Sequence, residues 1–115
     1  MNITMQEISA SPSLVIAGTR GSAEHARLTF TFDEAWEGLA KKVLFLMPDG
    51  KRAYRSCRDG EIVLPRELMQ QRGKSRCYVI GRRGKKRLVS MKIEILVLDT
   101  PVDEDGENEV CSTKI

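Results

Sequence analysis

The chain has few of the residues that cross-link, ligate metals or catalyse. Among 115 residues there are three cysteines, one histidine and one tryptophan, and aromatic residues make up 5% of the sequence. An odd number of widely spaced cysteines predicts neither a disulfide framework nor a zinc site. We therefore expect no metal, no cofactor, synthesis in a reducing compartment, and idle or buried thiols at Cys57, Cys77 and Cys111.

Catalytic motifs are also missing. His25 is the only histidine, and a general base needs a nucleophile and an orienting acid beside it, which no motif here supplies. The segments Gly18–Gly21 and Gly81–Gly84 lack the spacing and the helix that a phosphate-binding loop requires. The sequence therefore predicts a protein that is not an enzyme.

Long apolar runs are absent as well. No run approaches the roughly 20 residues that a helix needs to cross a bilayer, and no basic-then-apolar leader opens the chain. We expect no membrane partner.

Short strand-like segments separated by turn residues are what the sequence does contain. Apolar residues alternate with polar ones from Ala26 to Phe32, which predicts a half-buried strand. The wholly apolar run Val43–Met47 predicts a central strand covered on both faces. The segment Pro48–Gly50 predicts a tight turn and Asp59–Gly60 a hairpin turn. The segment Leu88–Leu98 predicts the longest strand, with one apolar face.

One helix signature stands among these strands. Pro65 suits the first helical position and Gly73 a C-terminal cap, so a helix of about two turns is predicted between them. About eight short strands with one short helix indicate a mainly β protein, an antiparallel β-sandwich or barrel-like domain. We place this single domain at 1–99 and interpret 100–115 as an acidic tail, for which the composition predicts disorder.

A structural corner is predicted after the alternating strand. Asp33 suits the cap of a helical turn, and Trp36 directly after a strand predicts a buried plug at the rim of the core. Gly38 then permits the chain to turn before Leu39. We expect Trp36, Gly38 and Leu39 to fix this corner.

Charge is distributed very unevenly. Between Lys51 and Lys92 the chain has 14 basic and three acidic residues, a net charge of +11, whereas the remainder has five basic and 13 acidic residues, a net charge of −8. The basic excess predicts an interaction surface for phosphates or for acidic proteins. The candidate interaction residues are the hairpin cations and two others: Arg82, Arg83, Lys85, Lys86, Arg87, Arg55 and Arg58.

One stretch resembles a known family of domains. The segment Phe30–Phe45 contains an aromatic strand, then Asp33-Glu34-Ala35-Trp36-Glu37-Gly38-Leu39, then a strand ending in Phe. This pattern resembles the small N-terminal β-sandwich domain of baseplate and tail-fibre proteins of phages and prophages of Gram-positive bacteria. The resemblance spans roughly 26–98, although the middle of this chain is unusually basic.

The resemblance implies a function class. We expect a non-enzymatic structural or protein-docking module of a phage or prophage particle, synthesised in the cytoplasm of the bacterial host and assembled into a virion. Its expected partners are other proteins, including a second copy of itself. One alternative is a small phage-encoded inhibitor that uses its basic face against a host defence complex. A weaker alternative is a nucleic-acid-binding module, because few aromatic residues lie near the basic hairpin in sequence.

Overall fold

The computed structural model describes residues 1–21 and 26–99. His25, Cys111 and the acidic segment 100–115 lie outside the described residues. The strands are β1 (Asn2–Gln6), β2 (Ser9–Ser11), β3 (Leu14–Thr19), β4 (Arg27–Phe32), β5 (Ala40–Leu46), β6 (Arg52–Ser56), β7 (Glu61–Val63), β8 (Gly73–Arg83), β9 (Lys86–Val89) and β10 (Ile93–Leu98). A 3-10 turn covers Glu34–Trp36, and one α-helical turn, α1, covers Arg66–Met69.

The ten strands form two sheets around one core. The small sheet has the order β2-β1-β4-β7, and the large sheet has the order β3-β10-β8-β5-β6. The strand β9 pairs with the C-terminal part of β8, on the edge whose N-terminal part pairs with β10. The predicted mainly β sandwich is confirmed.

The sheets are mixed rather than antiparallel throughout. The strands β1 and β4 run parallel, with Ile3 opposite Phe30, and β3 runs parallel to β10, with Val15 opposite Ile95. Both parallel pairs join strands that are distant along the chain. A local pattern of alternation cannot reveal such pairs, because it is the same for parallel and antiparallel neighbours.

Alternation builds the core between the sheets. Strands of both sheets bury alternate residues, as β8 does with Ser75, Cys77, Val79 and Gly81. The small sheet faces these residues with Ile3, Met5, Leu28, Phe30 and Ile62, all buried. The core is therefore aliphatic with a few aromatic rings, as the composition requires.

The prediction of one longest strand over Leu88–Leu98 is wrong. The chain leaves the sheet between β9 and β10, where the Ser90 hydroxyl accepts a hydrogen bond from the Val79 N–H at 2.8 Å. Because of this break, the odd-numbered residues of β9 and those of β10 point to opposite faces of the sheet. Val89 is opposite Ile80, whereas Ile93 is opposite Cys77 in the core. The longest strand is β8, with 11 residues.

The helix prediction is only partly right. Leu68 and Met69 are buried as its apolar residues, but α1 is a single turn that begins after Pro65. Gly73 does not cap a helix, because it begins β8, with φ of +114°. Strand β8 needs these residues to pair with β10, so the helix ends early.

The prediction that Val43–Met47 is covered on both faces is wrong. The strand β5 is central, between β8 and β6, and its inward residues Val43 and Phe45 are fully buried. Leu44 and Leu46 point the other way and are half-buried. The large sheet therefore presents an outer face with apolar side chains in it.

Candidate binding surfaces

The predicted basic hairpin connects β8 to β9. Gly84, with φ of +60°, and Lys85 form the turn, and Arg82 is opposite Arg87 while Arg83 is opposite Lys86. All five cations are exposed. Like charges directly across a strand pair destabilise it. The hairpin thus has two pairs of like charges that destabilise it, and solubility alone would not require them.

The strands divide the hairpin cations between two directions. Arg82 and Arg87 point to the outer side of the large sheet, the side of Ile80. Arg83 points to the other side and lies over the corner, since a Cβ added to Gly38 would lie 2.9 Å from the Arg83 Nη1 atom. Only some of the hairpin cations therefore lie on the outer side of the large sheet.

The outer side of the large sheet is strongly basic. Its single described acid, Glu94, lies 3.6 Å from the Lys74 Nζ atom and 3.9 Å from the Lys92 Nζ atom. The other Lys and Arg side chains on this side of the sheet have no carboxylate oxygen within 4 Å among residues 1–21 and 26–99. We call the following seven side chains the basic face: Lys42, Arg52, Lys74, Arg76, Arg82, Arg87 and Lys92.

Two tyrosines lie within the basic face. Leu44 on β5 is directly opposite Tyr54 on one side and Tyr78 on the other. Since neighbouring strands lie about 4.8 Å apart, the two tyrosine backbones are roughly 10 Å apart. Tyr54 is 51% exposed, and its ring lies 5.0 Å below the Lys42 Nζ atom.

A shallow cavity of about 270 Å³ opens on the same side. Lys42 and Arg82 line it together with Ala40, Lys41, Ser56 and Ile80, of which Ile80 is nearly buried. Drug-sized ligands occupy pockets of about 300–1,000 Å³. This cavity is smaller, and its apolar floor with Lys41, Lys42 and Arg82 around it suits one anionic side chain of a partner.

Most residues of the basic face were not predicted, although the sequence of β8 contains a signal for them. The cations come from β5, β6, β8, β9 and the residue just before β10, and they meet only in the sheet. Within β8, however, the outward residues alternate with Ser75, Cys77, Val79 and Gly81 in the sequence itself. That outward set is Lys74, Arg76, Tyr78, Ile80 and Arg82.

Besides Arg83, Lys85 and Lys86 of the hairpin, two more predicted interaction residues lie outside the basic face. Arg55 points to the side opposite Tyr54, because its neighbour across the strands is the buried Val43, and its Nη1 group donates to the Tyr54 carbonyl at 2.8 Å. Arg58 is exposed in the turn between the sheets. Neither residue contributes to the basic face.

The predicted corner is built around Trp36. The ring is fully buried, lies 5.3 Å from the Phe32 ring, and its Nε1–H donates to the Glu7 carbonyl at 2.6 Å. Asp33 accepts from the Ala35 N–H, as the predicted cap does, and also from the Glu7 N–H. Glu7 was not predicted to take part, and its φ of +54° brings both of its backbone groups to this corner.

Gly81 is a second unpredicted part of the corner. A Cβ there would lie 2.9 Å from the Leu39 Cδ1 atom and 3.1 Å from the Trp36 ring. The close approach of the ring to the β8 backbone therefore needs glycine. Through Gly81 the corner is joined directly to the strand that contributes most to the basic face.

The described thiols are poor nucleophiles. Burial raises the pKa of Cys77 to about 12. Burial also raises the pKa of the half-buried Cys57 above its ordinary 9.0, opposed by the charge of Lys41 and a hydrogen bond from the Gly60 backbone. A reactive thiol requires a lowered pKa. Within residues 1–21 and 26–99, no group of three or more His, Cys, Asp or Glu side chains is placed to hold a metal ion.

Comparison with known proteins leaves the family open. No protein-family model and no curated protein matches the sequence. In the part of the chain that the structure describes, no helix has the length and apolar character to span a bilayer.

Proposed function

We propose that the chain is a non-enzymatic docking module of a phage or prophage particle that binds an acidic partner protein through the basic face. The observation that supports this most directly is the composition of that face, with seven cations and one acid on a sheet that also exposes apolar side chains. Complementary charge accelerates association and excludes wrong partners.

The arrangement of the cations supports binding rather than solubility. A sheet surface that only needed water contact would be served by mixed charges, which also pair favourably across strands. Instead, Arg82 is opposite Arg87 and Arg83 is opposite Lys86. Sequences that break a local rule in this way commonly do so at functional sites.

The apolar part of the face supports a protein partner. Leu44 and Leu46 are half-buried between the cations, and Ile80 forms the floor of the small cavity. Protein interfaces combine such an apolar centre with a polar rim and are enriched in tyrosine and arginine. The resemblance of Phe30–Phe45 to phage baseplate and tail-fibre domains supports a partner within the particle.

Single-stranded nucleic acid is the second candidate, because Tyr54 and Tyr78 lie among the cations. Bases stack on exposed aromatic rings beside positive charge. However, the Lys42 ammonium already lies over the Tyr54 ring, and Tyr78 is half-buried. A base would have to displace Lys42 to stack on Tyr54, so this geometry favours the protein partner.

A host defence complex is a further protein partner that the same face would fit. An inhibitor of such a complex would occupy a site that normally holds nucleic acid, and the seven cations would then meet the complex rather than a virion component. The identity of the captured protein distinguishes these two uses of the face.

The test is affinity capture from an induced lysogen with nuclease-treated lysate at about 150 mM salt, where exposed charges more than a Debye length apart are screened. We expect the wild-type chain to retain virion proteins, and the variant Arg82→Ala/Arg87→Ala to lose them. The matched control Arg58→Ala/Arg66→Ala removes two exposed cations outside the basic face and should retain them. Retention by all three chains, or capture of a host complex, would contradict the proposal.

A second measurement tests nucleic acid directly. Fluorescence anisotropy with an oligothymidylate should show weak binding near 150 mM salt. Tight binding at that salt, abolished by Arg82→Ala/Arg87→Ala, would favour the nucleic-acid function instead.

A further inference from the structure

The outer edge of β3 pairs with no described strand along Leu14–Ala17. The strand is at the end of the large sheet, and no other described strand pairs with its second edge. The segment Leu14–Ala17 contains no charge, and Leu14 and Ile16 are 46% and 57% exposed. Natural proteins usually protect edge strands with charges, prolines or bulges. Here the bulge comes only after Ile16.

Backbone groups on this edge point outward in a fixed pattern. The Ser13 carbonyl accepts from the Glu94 N–H at 2.7 Å, so Ser13 points toward β10. In a strand, the N–H and C=O of one residue point to the same side, and the side alternates along the chain. Val15 therefore also points toward β10, and Leu14 and Ile16 direct their N–H and C=O groups to the open edge.

We propose that a second copy of this chain pairs with this edge, antiparallel, about a two-fold axis at Val15. In that register Leu14 of each copy is directly opposite Ile16 of the other. Both residues direct their backbone groups to the edge, so each pair exchanges two hydrogen bonds and the two copies share four. The four apolar side chains meet on the outer side and are removed from water.

Other registers fit the side chains of this edge less well. An axis at Ile16 would place Leu14 opposite Gly18, so that the leucines would lose their apolar partners. An axis between two residues would place an outward side chain opposite an inward one, which direct pairing in a sheet does not permit.

Charge opposes pairing of two copies at the other edge of the large sheet but not at Leu14–Ala17. The free edge of the large sheet at β6 carries Arg52 and Arg55, which would face like charges across a two-fold axis. The β3 edge has no such repulsion between Leu14 and Ala17. Pairing there would join two large sheets and place two basic faces on one surface, and this inference does not depend on what those faces bind.

Sedimentation velocity tests the association. Because one strand pair buries little area, we expect weak self-association, visible as a concentration-dependent increase above 12.9 kDa between about 10 µM and about 1 mM. The variant Ile16→Lys should stay monomeric, and Ile8→Lys, the same substitution at a 49% exposed residue between β1 and β2, should associate as the wild type does. Circular dichroism establishes that both are folded. A wild-type chain that stays at 12.9 kDa, or an Ile16→Lys variant that still dimerises, would overturn the proposal.

Cysteine cross-linking tests the register. In a background with Cys57→Ser and Cys111→Ser, the double variant Leu14→Cys/Ile16→Cys should form a covalent dimer on mild oxidation. Directly opposite residues have the Cα separation of about 5.5 Å that a disulfide needs. The single variant Ile16→Cys should not cross-link. Cross-linking of the single variant, or none of the double variant, would contradict an axis at Val15.

Discussion

Removing the Trp36 ring is the most informative perturbation of the fold, because that ring joins both sheets at the corner. Its side chain is fully buried, packs against Phe32, and donates to the Glu7 carbonyl. Truncating a large buried aromatic residue to alanine costs about 3–5 kcal/mol. A small domain has a total stability of about 5–15 kcal/mol, so Trp36→Ala should remove a large part of it.

The variant Trp36→Phe separates the hydrogen bond from the packing. Phenylalanine keeps a ring beside Phe32 but leaves the Glu7 carbonyl without its donor, which costs about 1–3 kcal/mol. Both variants are measured by urea unfolding followed by circular dichroism, since the mutations remove the only tryptophan. If Trp36→Ala does not fold, Trp36→Phe still gives a measurable free energy of unfolding.

The control for this series is Tyr54→Ala, an aromatic truncation at a 51% exposed position. It should lower the free energy of unfolding by less than about 1 kcal/mol. A Trp36→Ala variant with a free energy of unfolding as close to the wild type as that control would refute the role assigned to the corner.

Two further predictions concern the backbone and the thiols. Gly60→Ala should destabilise the protein by about 1–3 kcal/mol more than Gly50→Ala. Both glycines have positive φ, but only at Gly60 would an added Cβ meet the backbone, 2.6 Å from the Phe30 carbonyl oxygen. Equal losses of the free energy of unfolding in urea would contradict that contact. Since burial raises the pKa of Cys77 from 9.0 to about 12, the unfolded chain loses the thiol proton first. Stability should therefore fall as the pH rises from about 9 to about 12, by up to about 1.4 kcal/mol per pH unit. Cys77→Ala should fall less steeply, and identical slopes would exclude the thiol as the cause.

Local patterns predicted the strands but not their arrangement. The alternation of Ala26–Phe32 places Leu28 and Phe30 in the core as expected. The Asp59–Gly60 turn also forms, with positive φ at both residues. It connects β6 in the large sheet to β7 in the small sheet, however, so it is not a hairpin within one sheet. Nothing in the turn residues distinguishes these two outcomes.

The basic face was likewise predictable only where its cations are adjacent in the sequence. A run of cations such as Arg82–Arg87 is visible in sequence because its charges are adjacent. Lys42 and Arg52 come from separate strands, and only the registers of β5 with β6 and β8 bring them to the same side as Arg82. The corner was predicted from Trp36, whereas Glu7 was missed because its role depends on a backbone angle.

Immunogold electron microscopy of particles from an induced lysogen tests the central claim most directly. Antibody against this chain should label the tail end of particles that carry the wild-type chain or Arg58→Ala/Arg66→Ala. Particles from the Arg82→Ala/Arg87→Ala strain should lose the label while the soluble chain remains folded. Unlabelled particles in every strain, with the chain found only in the soluble fraction, would contradict a docking role on the particle.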